Sequence, residues 1–226
     1  MSDDLREFLA NARGTAATAK VLSLDELRAR RGGEPDVVTD PWTLGALRGR
    51  FVELSARGAS ATLTAAIGLV AEAQAESEPV AWIMSAAQGT FYPPDAADSG
   101  IDLAALVVVR VPDLATAPRA AERLLRSGAF GLVVMDFGGI ANVEIPMAHQ
   151  GRLVTLAQAH DAAVVCITEK ADDTGSLGSL VSLRAEARRA GVLGARDFEV
   201  SVRVLKDKRR GPGWSRTIKA RGPAGT

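Results

Sequence analysis

The chain has 226 residues, with 27 basic and 27 acidic side chains, so its formal net charge at neutral pH is zero. Apolar residues make up 47% and charged residues 24%, which is typical of a globular chain and excludes a disordered one. The balanced charge argues against a generally basic nucleic-acid-binding protein. One cysteine and two histidines exclude an internal disulfide and a thiolate-rich metal site.

The sequence pattern predicts neither a targeting segment nor a membrane span. No apolar run reaches the roughly 18 residues that a membrane-spanning helix requires. Charged residues such as Asp4 and Arg6 stand where a signal peptide would have its apolar stretch. We therefore expect a cytoplasmic protein without a membrane partner.

The first 46 residues differ in pattern from the rest of the chain. Residues 2–13 have helical spacing, and the capping box Ser23-Leu24-Asp25-Glu26 predicts a second short helix from Leu24 to about Arg31. We interpret residues 1–46 as an N-terminal arm with short helices and residues 47–226 as one core domain.

From Gly49 onward, short apolar runs alternate with amphipathic stretches of helical length. The runs predict buried strands at 51–54, 80–84, 105–111, 132–135 and 164–168. The stretches between several of them predict helices at 62–74, 115–126 and 147–159. Continuous apolar strands separated by helices are typical of a parallel sheet that is covered on both faces.

Towards the C-terminus the period becomes two. Apolar residues alternate with polar ones over 181–188 and 200–204, which predicts half-exposed strands in an antiparallel extension of the sheet. After Gly211, glycine–proline pairs predict a tail that turns and then frays. The predicted fold is α/β, with a central, mostly parallel sheet flanked by helices and with antiparallel C-terminal hairpin strands.

Several segments resemble RecA-type recombinases. Gly49–Leu54, the loop 55–61 and the helix that ends in Ala71-Glu72-Ala73-Gln74 are similar to the first strand, the phosphate loop and the following helix of that family. The resemblance continues in chain order over the second strand (81–83), the Walker B strand (132–136), the strand that ends in a phosphate-sensing residue (165–169) and the terminal hairpin (184–189 with 202–208). It spans about residues 45–222 and implies a RecA-like, P-loop NTPase-type core.

The chemistry of a phosphate loop is missing from the matching segment. Such a loop needs glycines whose N–H groups converge on the phosphates, a lysine, and a hydroxyl for Mg²⁺. Ala56 and Ala61 stand in place of two glycines, Thr62 in place of the lysine and Leu63 in place of the hydroxyl, with Thr64 one position too late. This degenerate Walker A motif predicts a pseudo-ATPase that neither binds nor hydrolyses ATP and has no cofactor.

The surroundings of the loop agree with this prediction. No Lys or Arg lies between Arg57 and Arg110, and Glu169 at the sensor position would repel a γ-phosphate. The functional alternative is that Arg57 or Ser60 replaces the missing groups, because helix N-termini attract anions. No residue is predicted to be catalytic or to bind a metal. The predicted degenerate nucleotide site consists of Arg57, Ser60, Thr62, Thr64, Asp136 and Glu169.

RecA-like chains of this length resemble the ImuA family and, more distantly, the SulA cell-division inhibitors. The aromatic-proline turn Phe91-Tyr92-Pro93-Pro94 and the later Gly100-Ile101-Asp102-Leu103 look like the ImuA pattern. This resemblance implies a non-enzymatic accessory protein of the SOS response to DNA damage. Its implied partners in translesion synthesis are an ImuB-type, Y-family-like polymerase, an error-prone C-family polymerase and RecA, with self-association also open. The alternatives are a SulA-like cell-division inhibitor and an ATPase with a non-standard phosphate loop.

The C-terminal segment is basic. Residues 196–226 hold nine basic and three acidic side chains. Lys206 and Lys208 resemble hairpin lysines that reach the ATP of a neighbouring recombinase subunit, and Trp214 could stack on a base. Three interpretations stay open for this hairpin: contacts to DNA phosphates, docking on the ATP interface of RecA, and a solvated basic hairpin. The candidate DNA- or partner-binding residues are Lys206, Lys208, Arg209, Arg210, Trp214 and Arg216.

The loop over 170–179 occupies the place of a recombinase DNA-binding loop. Its adjacent Asp172 and Asp173 disfavour a phosphate contact, so we interpret it as a flexible connector.

Overall fold

Eight strands form one mixed sheet in the computed structural model, which describes residues 40–87, 91–140, 142–192 and 196–222. In chain order the strands are β1 (Arg50–Ser55), β2 (Val80–Ser85), β3 (Leu106–Val111), β4 (Leu132–Asp136), β5 (Ala163–Thr168), β6 (Leu183–Val192), β7 (Asp197–Asp207) and β8 (Ser215–Arg221). Across the sheet their order is β3-β2-β4-β5-β1-β6-β7-β8. Strands β1 to β6 run parallel, and β7 is antiparallel to both β6 and β8. The predicted α/β class, with a mostly parallel sheet and antiparallel C-terminal strands, is confirmed.

Helices cover both faces of this sheet. They are α1 (Leu44–Leu47), α2 (Thr62–Ala75), α3 (Pro93–Asp98), α4 (Ala117–Arg126) and α5 (Met147–Ala159). The first three pack on one face and the last two on the other. Within β1, Phe51 belongs to the α4–α5 core and Val52 to the α1–α2 core. Consecutive apolar residues occur at these two positions because each one faces a different buried side of the sheet.

Residues 40–46, which the sequence pattern assigned to the N-terminal arm, pack into the core. Trp42 and Leu44 are buried, and the compact unit begins at Asp40. The N–H of Leu44 donates to the Glu72 carboxylate of α2 at 2.6 Å. Burial of an indole and a leucine therefore moves the start of the core ahead of residue 47. The helices predicted further upstream lie outside the described residues.

The C-terminal segment over 215–221 forms a strand, so the prediction of a fraying tail was wrong there. Ile218 and Ala220 pack against the core, whereas the alternate residues Thr217 and Lys219 are exposed. This alternation is that of a strand with one covered face. The sequence did not indicate this strand because the glycine–proline pairs on either side of it are turn signals.

Strand β6 is buried on both faces over its first half, where the alternating pattern predicted one exposed face. Arg184 and Glu186 are only 3% and 4% exposed. Arg184 donates to the backbone carbonyls of Ala171 and Thr174, which lie in the loop that crosses this part of the sheet. Arg184 therefore lies beneath a loop, and Glu186 is paired with Arg188 and Arg203.

Candidate functional site

The loop between β1 and α2 lies where the degenerate phosphate loop was predicted. It turns at Gly58, whose φ of +82° is a left-handed conformation that favours glycine. Two backbone bonds tie the loop to β6. The N–H of Ala61 donates to the carbonyl of Ala187 at 3.0 Å, and the N–H of Arg189 donates to the carbonyl of Ala59 at 3.0 Å.

Three consecutive N–H groups of this loop are directed to acceptors within the protein. The N–H of Ser60 donates to the carbonyl of Gly58 at 2.7 Å, and that of Ala61 is bonded to β6. The N–H of Thr62 donates to the hydroxyl of Ser60 at 3.4 Å, and the hydroxyls of Ser60 and Thr62 lie 3.1 Å apart. Anion binding at a helix N-terminus depends on converging N–H donors, so these bonds compete with a phosphate.

The six residues of the predicted nucleotide site do not converge on one pocket. Arg57 and Glu169 line a cavity of about 450 Å³ at the carboxyl ends of β1 and β5. Ser60 and Thr64 line a different cavity of about 420 Å³. Asp136 is buried at the end of β4 and accepts a backbone N–H bond at 2.9 Å.

A buried carboxylate, Glu53 of β1, forms the centre of a polar cluster that the sequence reasoning missed. Its Oε1 accepts a bond from the Thr168 hydroxyl at 2.9 Å and lies 3.1 Å from the Nζ of Lys170. Its Oε2 accepts the N–H of Leu177 at 2.6 Å and lies 3.8 Å from the Nε of Arg184. The available signal was a charged residue inside an apolar strand, since a buried charge requires partners.

The loop over 170–179, interpreted from the sequence as a flexible connector, is fastened to the sheet. Arg184 donates to two of its backbone carbonyls. The Nζ of Lys206 donates to the Ser176 hydroxyl at 3.2 Å, and the Nζ of Lys208 donates to the backbone carbonyl of Ser179 at 2.7 Å. Side chains from β6 and from the end of β7 therefore hold this loop over the sheet.

The four basic residues at the end of β7 fall into two pairs. Lys206 and Lys208 bind the 170–179 loop, and burial together with the charge of Lys208 lowers the pKa of Lys206. Arg209 and Arg210 are exposed, as is Lys208, and Arg209 also donates to the backbone carbonyl of Gly49 at 3.5 Å. Lys206 is therefore the least accessible of these four predicted contacts to DNA or a partner.

The two remaining candidates of the basic segment also make intramolecular contacts. Trp214 packs against the core, and its Nε1 donates to Asp207 at 3.4 Å. Arg216 binds the carboxylate of Asp40 at 2.6 Å and the backbone carbonyl of Trp42. Base stacking by Trp214 would have to use the part of the indole that the core leaves accessible.

A second buried ion pair joins β1 to the end of β7. The Arg50 guanidinium donates to Asp207 at 2.6 Å, and the two side chains are 3% and 0% exposed. Burial alone would raise the pKa of Asp207, but the bonds from Arg50 and from the N–H of Arg209 hold it below its usual value. Arg50 also donates to the carbonyl of Ser182 at 3.0 Å, so it is satisfied on both sides.

Other kinds of site are not found among the described residues. No helix in 40–87, 91–140, 142–192 or 196–222 has the length and apolarity to cross a bilayer. Within the same ranges, no group of three or more His, Cys, Asp or Glu side chains is placed to hold a metal ion.

Comparison with protein-family models gives no match for this chain, and comparison with curated proteins gives none either. The likeness to RecA-type proteins therefore depends on the motifs and on their order along the chain.

Proposed function

We propose that the chain is a non-catalytic, RecA-like adaptor of DNA-damage-inducible translesion synthesis, which binds an ImuB-type, Y-family-like polymerase partner or RecA. The order of the elements supports this proposal. The segments that resemble the recombinase strands form β1, β2, β4 and β5, and the segment that resembles the terminal hairpin forms β6 and β7. A fold does not define a function, so the proposal depends on the loop after β1.

The observation that carries the proposal is the bonding of that loop to its own chain. A triphosphate would have to displace the bonds from Ala61 to Ala187 and from Thr62 to Ser60. Each such bond contributes about 0.5–1.5 kcal/mol, and no lysine is present to compensate for its loss. Because the N–H groups of this loop are already bonded within the chain, the loop is better suited to connecting β1 with α2 than to responding to a nucleotide.

Titration calorimetry with Mg²⁺-ATP tests the absence of nucleotide chemistry. We expect no binding heat and no hydrolysis from the native chain. The substitution Thr62→Lys restores the missing cation, and we expect it to remain without micromolar affinity because the backbone donors stay bonded. Micromolar affinity of the native chain would contradict the proposal and favour the ATPase alternative.

An adaptor also needs a surface for its partner, and β3 provides an accessible sheet edge. Val107 and Val108 are 45% and 38% exposed, and as consecutive strand residues they point to opposite faces. Leu103, just before the strand, is also exposed. An apolar edge strand can accept a strand from another protein through main-chain hydrogen bonds.

Binding measurements with purified partners test the adaptor role. Three proteins are immobilised in turn: an ImuB-type protein, RecA, and the tubulin-like division protein that a SulA-like inhibitor would bind. The association of the native chain is measured by interferometry. We expect binding to the ImuB-type protein or to RecA. Binding to the division protein alone would favour the SulA-like alternative, and binding to none of the three would contradict the adaptor proposal.

A further inference from the structure

The cavity of about 420 Å³ beside the β1–α2 loop has features that the adaptor role does not explain. We call it the α2–β7 cavity. Leu63 and Ile67 of α2 form one part of its lining, and Phe91 and Phe198 form another. Small-molecule sites typically have volumes of about 300–1,000 Å³, apolar walls and a few polar groups. The α2–β7 cavity meets this description.

One cation of the α2–β7 cavity has no acidic partner among the described residues. Three charged side chains line the cavity, namely Arg189, Arg221 and Asp95. Arg221 is paired with Asp197 at 3.4 Å. No ion pair among the described residues includes Arg189, whose guanidinium lies 4.0 Å above the Phe198 ring.

The stacking of Arg189 on Phe198 prepares this cation to bind an anion. Contact with an aromatic face uses the plane of a guanidinium and leaves the N–H donors at its rim for hydrogen bonds. The backbone N–H of Arg189 is already fixed by its bond to Ala59. The cation is therefore held next to an apolar wall at little further cost in conformational entropy.

We propose that the α2–β7 cavity binds a small aromatic acid with one negative charge. Its ring packs against Ile67 and Phe198, and its acidic group accepts hydrogen bonds from Arg189. Asp95 on the same lining disfavours a second or third negative charge, so a monoanion is preferred over a polyphosphate. This ligand site is independent of the proposed adaptor role.

Two fluorescent probes that share one ring system separate the contributions of ring and charge. 8-Anilino-1-naphthalenesulfonate carries one sulfonate, and N-phenyl-1-naphthylamine is its uncharged analogue. We expect the native chain to bind the sulfonate about tenfold more tightly than the uncharged probe, as a charged hydrogen bond implies. Equal affinities for the two probes would overturn the proposal.

Variants on β6 and α2 locate the binding. Arg189→Gln should lower the affinity for the sulfonate about tenfold and leave the uncharged probe within about twofold. Arg189→Lys should retain only part of the affinity, because an ammonium group lacks the planar fork that stacks on Phe198. Ile67→Ser should weaken both probes. The matched control is Arg188→Gln, because Arg188 is the exposed neighbour that pairs with Glu186 at 2.7 Å and does not line the cavity.

Two further measurements complete the test. Circular dichroism melting verifies that each variant is folded, so that a loss of probe affinity is assigned to the cavity. Excess Mg²⁺-ATP should leave the bound sulfonate in place, because Asp95 opposes a polyanion. Equal effects of Arg188→Gln and Arg189→Gln, or displacement by Mg²⁺-ATP, would overturn the proposal.

Discussion

The two outer strands of the described sheet differ in what they present to another molecule. The sequence of β3 is Leu-Val-Val-Val-Arg-Val, with one charge, whereas β8 carries Arg216, Lys219 and Arg221 within seven residues. Charged side chains on an edge deter strand addition, and apolar ones permit it. The net charge of zero therefore conceals two unlike edges, one apolar and one basic. On the basic edge Arg216 and Arg221 are already paired with Asp40 and Asp197.

The two edges also differ in how they are attached. Strand β3 pairs with β2 and has exposed valines on both faces. The β7–β8 side is fastened by the buried pair Arg50–Asp207 and by the bond from Arg216 to Asp40. Substitutions on one side at a time test whether the two sides differ in this way.

The largest effect is expected from the buried pair. Asp207→Ala leaves the Arg50 guanidinium buried without its carboxylate, and we expect a loss of about 3–5 kcal/mol in the free energy of unfolding. Urea denaturation measures it. The control is Asp197→Ala, because the exposed Asp197–Arg221 pair should contribute less than about 1 kcal/mol. Equal losses in the two variants would show that the buried pair does not fasten this side.

The same pair predicts a dependence of stability on pH. The pKa of Asp207 is lower in the folded state than in the unfolded chain, so its contribution is present above the unfolded pKa of about 3.9. It is lost as the pH falls through the folded value, because protonation then breaks the bond from Arg50. Urea denaturation from about pH 5 down to about pH 2 should show this loss in the native chain and a reduced loss in Asp207→Asn. Identical pH profiles would contradict the assignment.

A smaller effect is expected at the apolar edge, and it concerns association more than folding. Val108→Lys places a charge on β3 and should weaken partner binding or self-association by about 1 kcal/mol or more. Its unfolding free energy should change by less than about 1 kcal/mol, since Val108 is already 38% exposed. Sedimentation velocity at several concentrations measures self-association. Thr217→Lys on the exposed face of β8 is the matched control, and an equal effect there would remove the distinction between the edges.

The smallest effect on stability is expected in the basic turn that follows β7. Arg209→Glu with Arg210→Glu should change the free energy of unfolding by no more than about 0.5 kcal/mol per substitution. If this turn binds DNA, the variant should have a shallower slope of log affinity against log salt concentration. The change should correspond to the loss of about two phosphate contacts, and fluorescence anisotropy at two salt concentrations measures it. Lys206→Glu should instead destabilise the chain, because Lys206 holds the 170–179 loop. Absence of binding by the native chain at low salt would exclude a DNA site.

The sequence predicts the parallel part of the sheet well and its periphery less well. Strands β1, β2, β4 and β5 are apolar because both of their faces are covered, so their positions follow from composition alone. Strand β8 has one covered face, so its apolar residues alternate with polar ones. In the sequence this short alternation is outweighed by the turn signals of the flanking glycines. Pattern arguments weigh local residues and do not register that β7 offers β8 a free edge.

The polar interior was less predictable for a different reason. An alternating pattern indicates that Arg184 and Glu186 face solvent. The 170–179 loop instead covers Arg184, and Glu186 is paired with Arg188 and Arg203. The path of this loop depends on Glu53, whose partner Leu177 lies far along the chain. The sequence does indicate the defects of the phosphate loop, since missing residue types are visible there. The backbone bonds that tie the loop to β6 are not visible in the sequence.

The position of β1 has a consequence for the chain as it is being made. This strand is the first of the sheet to leave the ribosome, yet its two neighbours are β5 and β6, with Arg50 opposite Ala163 and Val52 opposite Leu183. At a synthesis rate of about 5–20 residues per second, β1 waits on the order of ten seconds for its first partner strand. Throughout that interval an apolar segment with both edges unpaired is available to chaperones. A strand that is buried along its whole length in the finished sheet is thus the one that waits longest for a partner during synthesis.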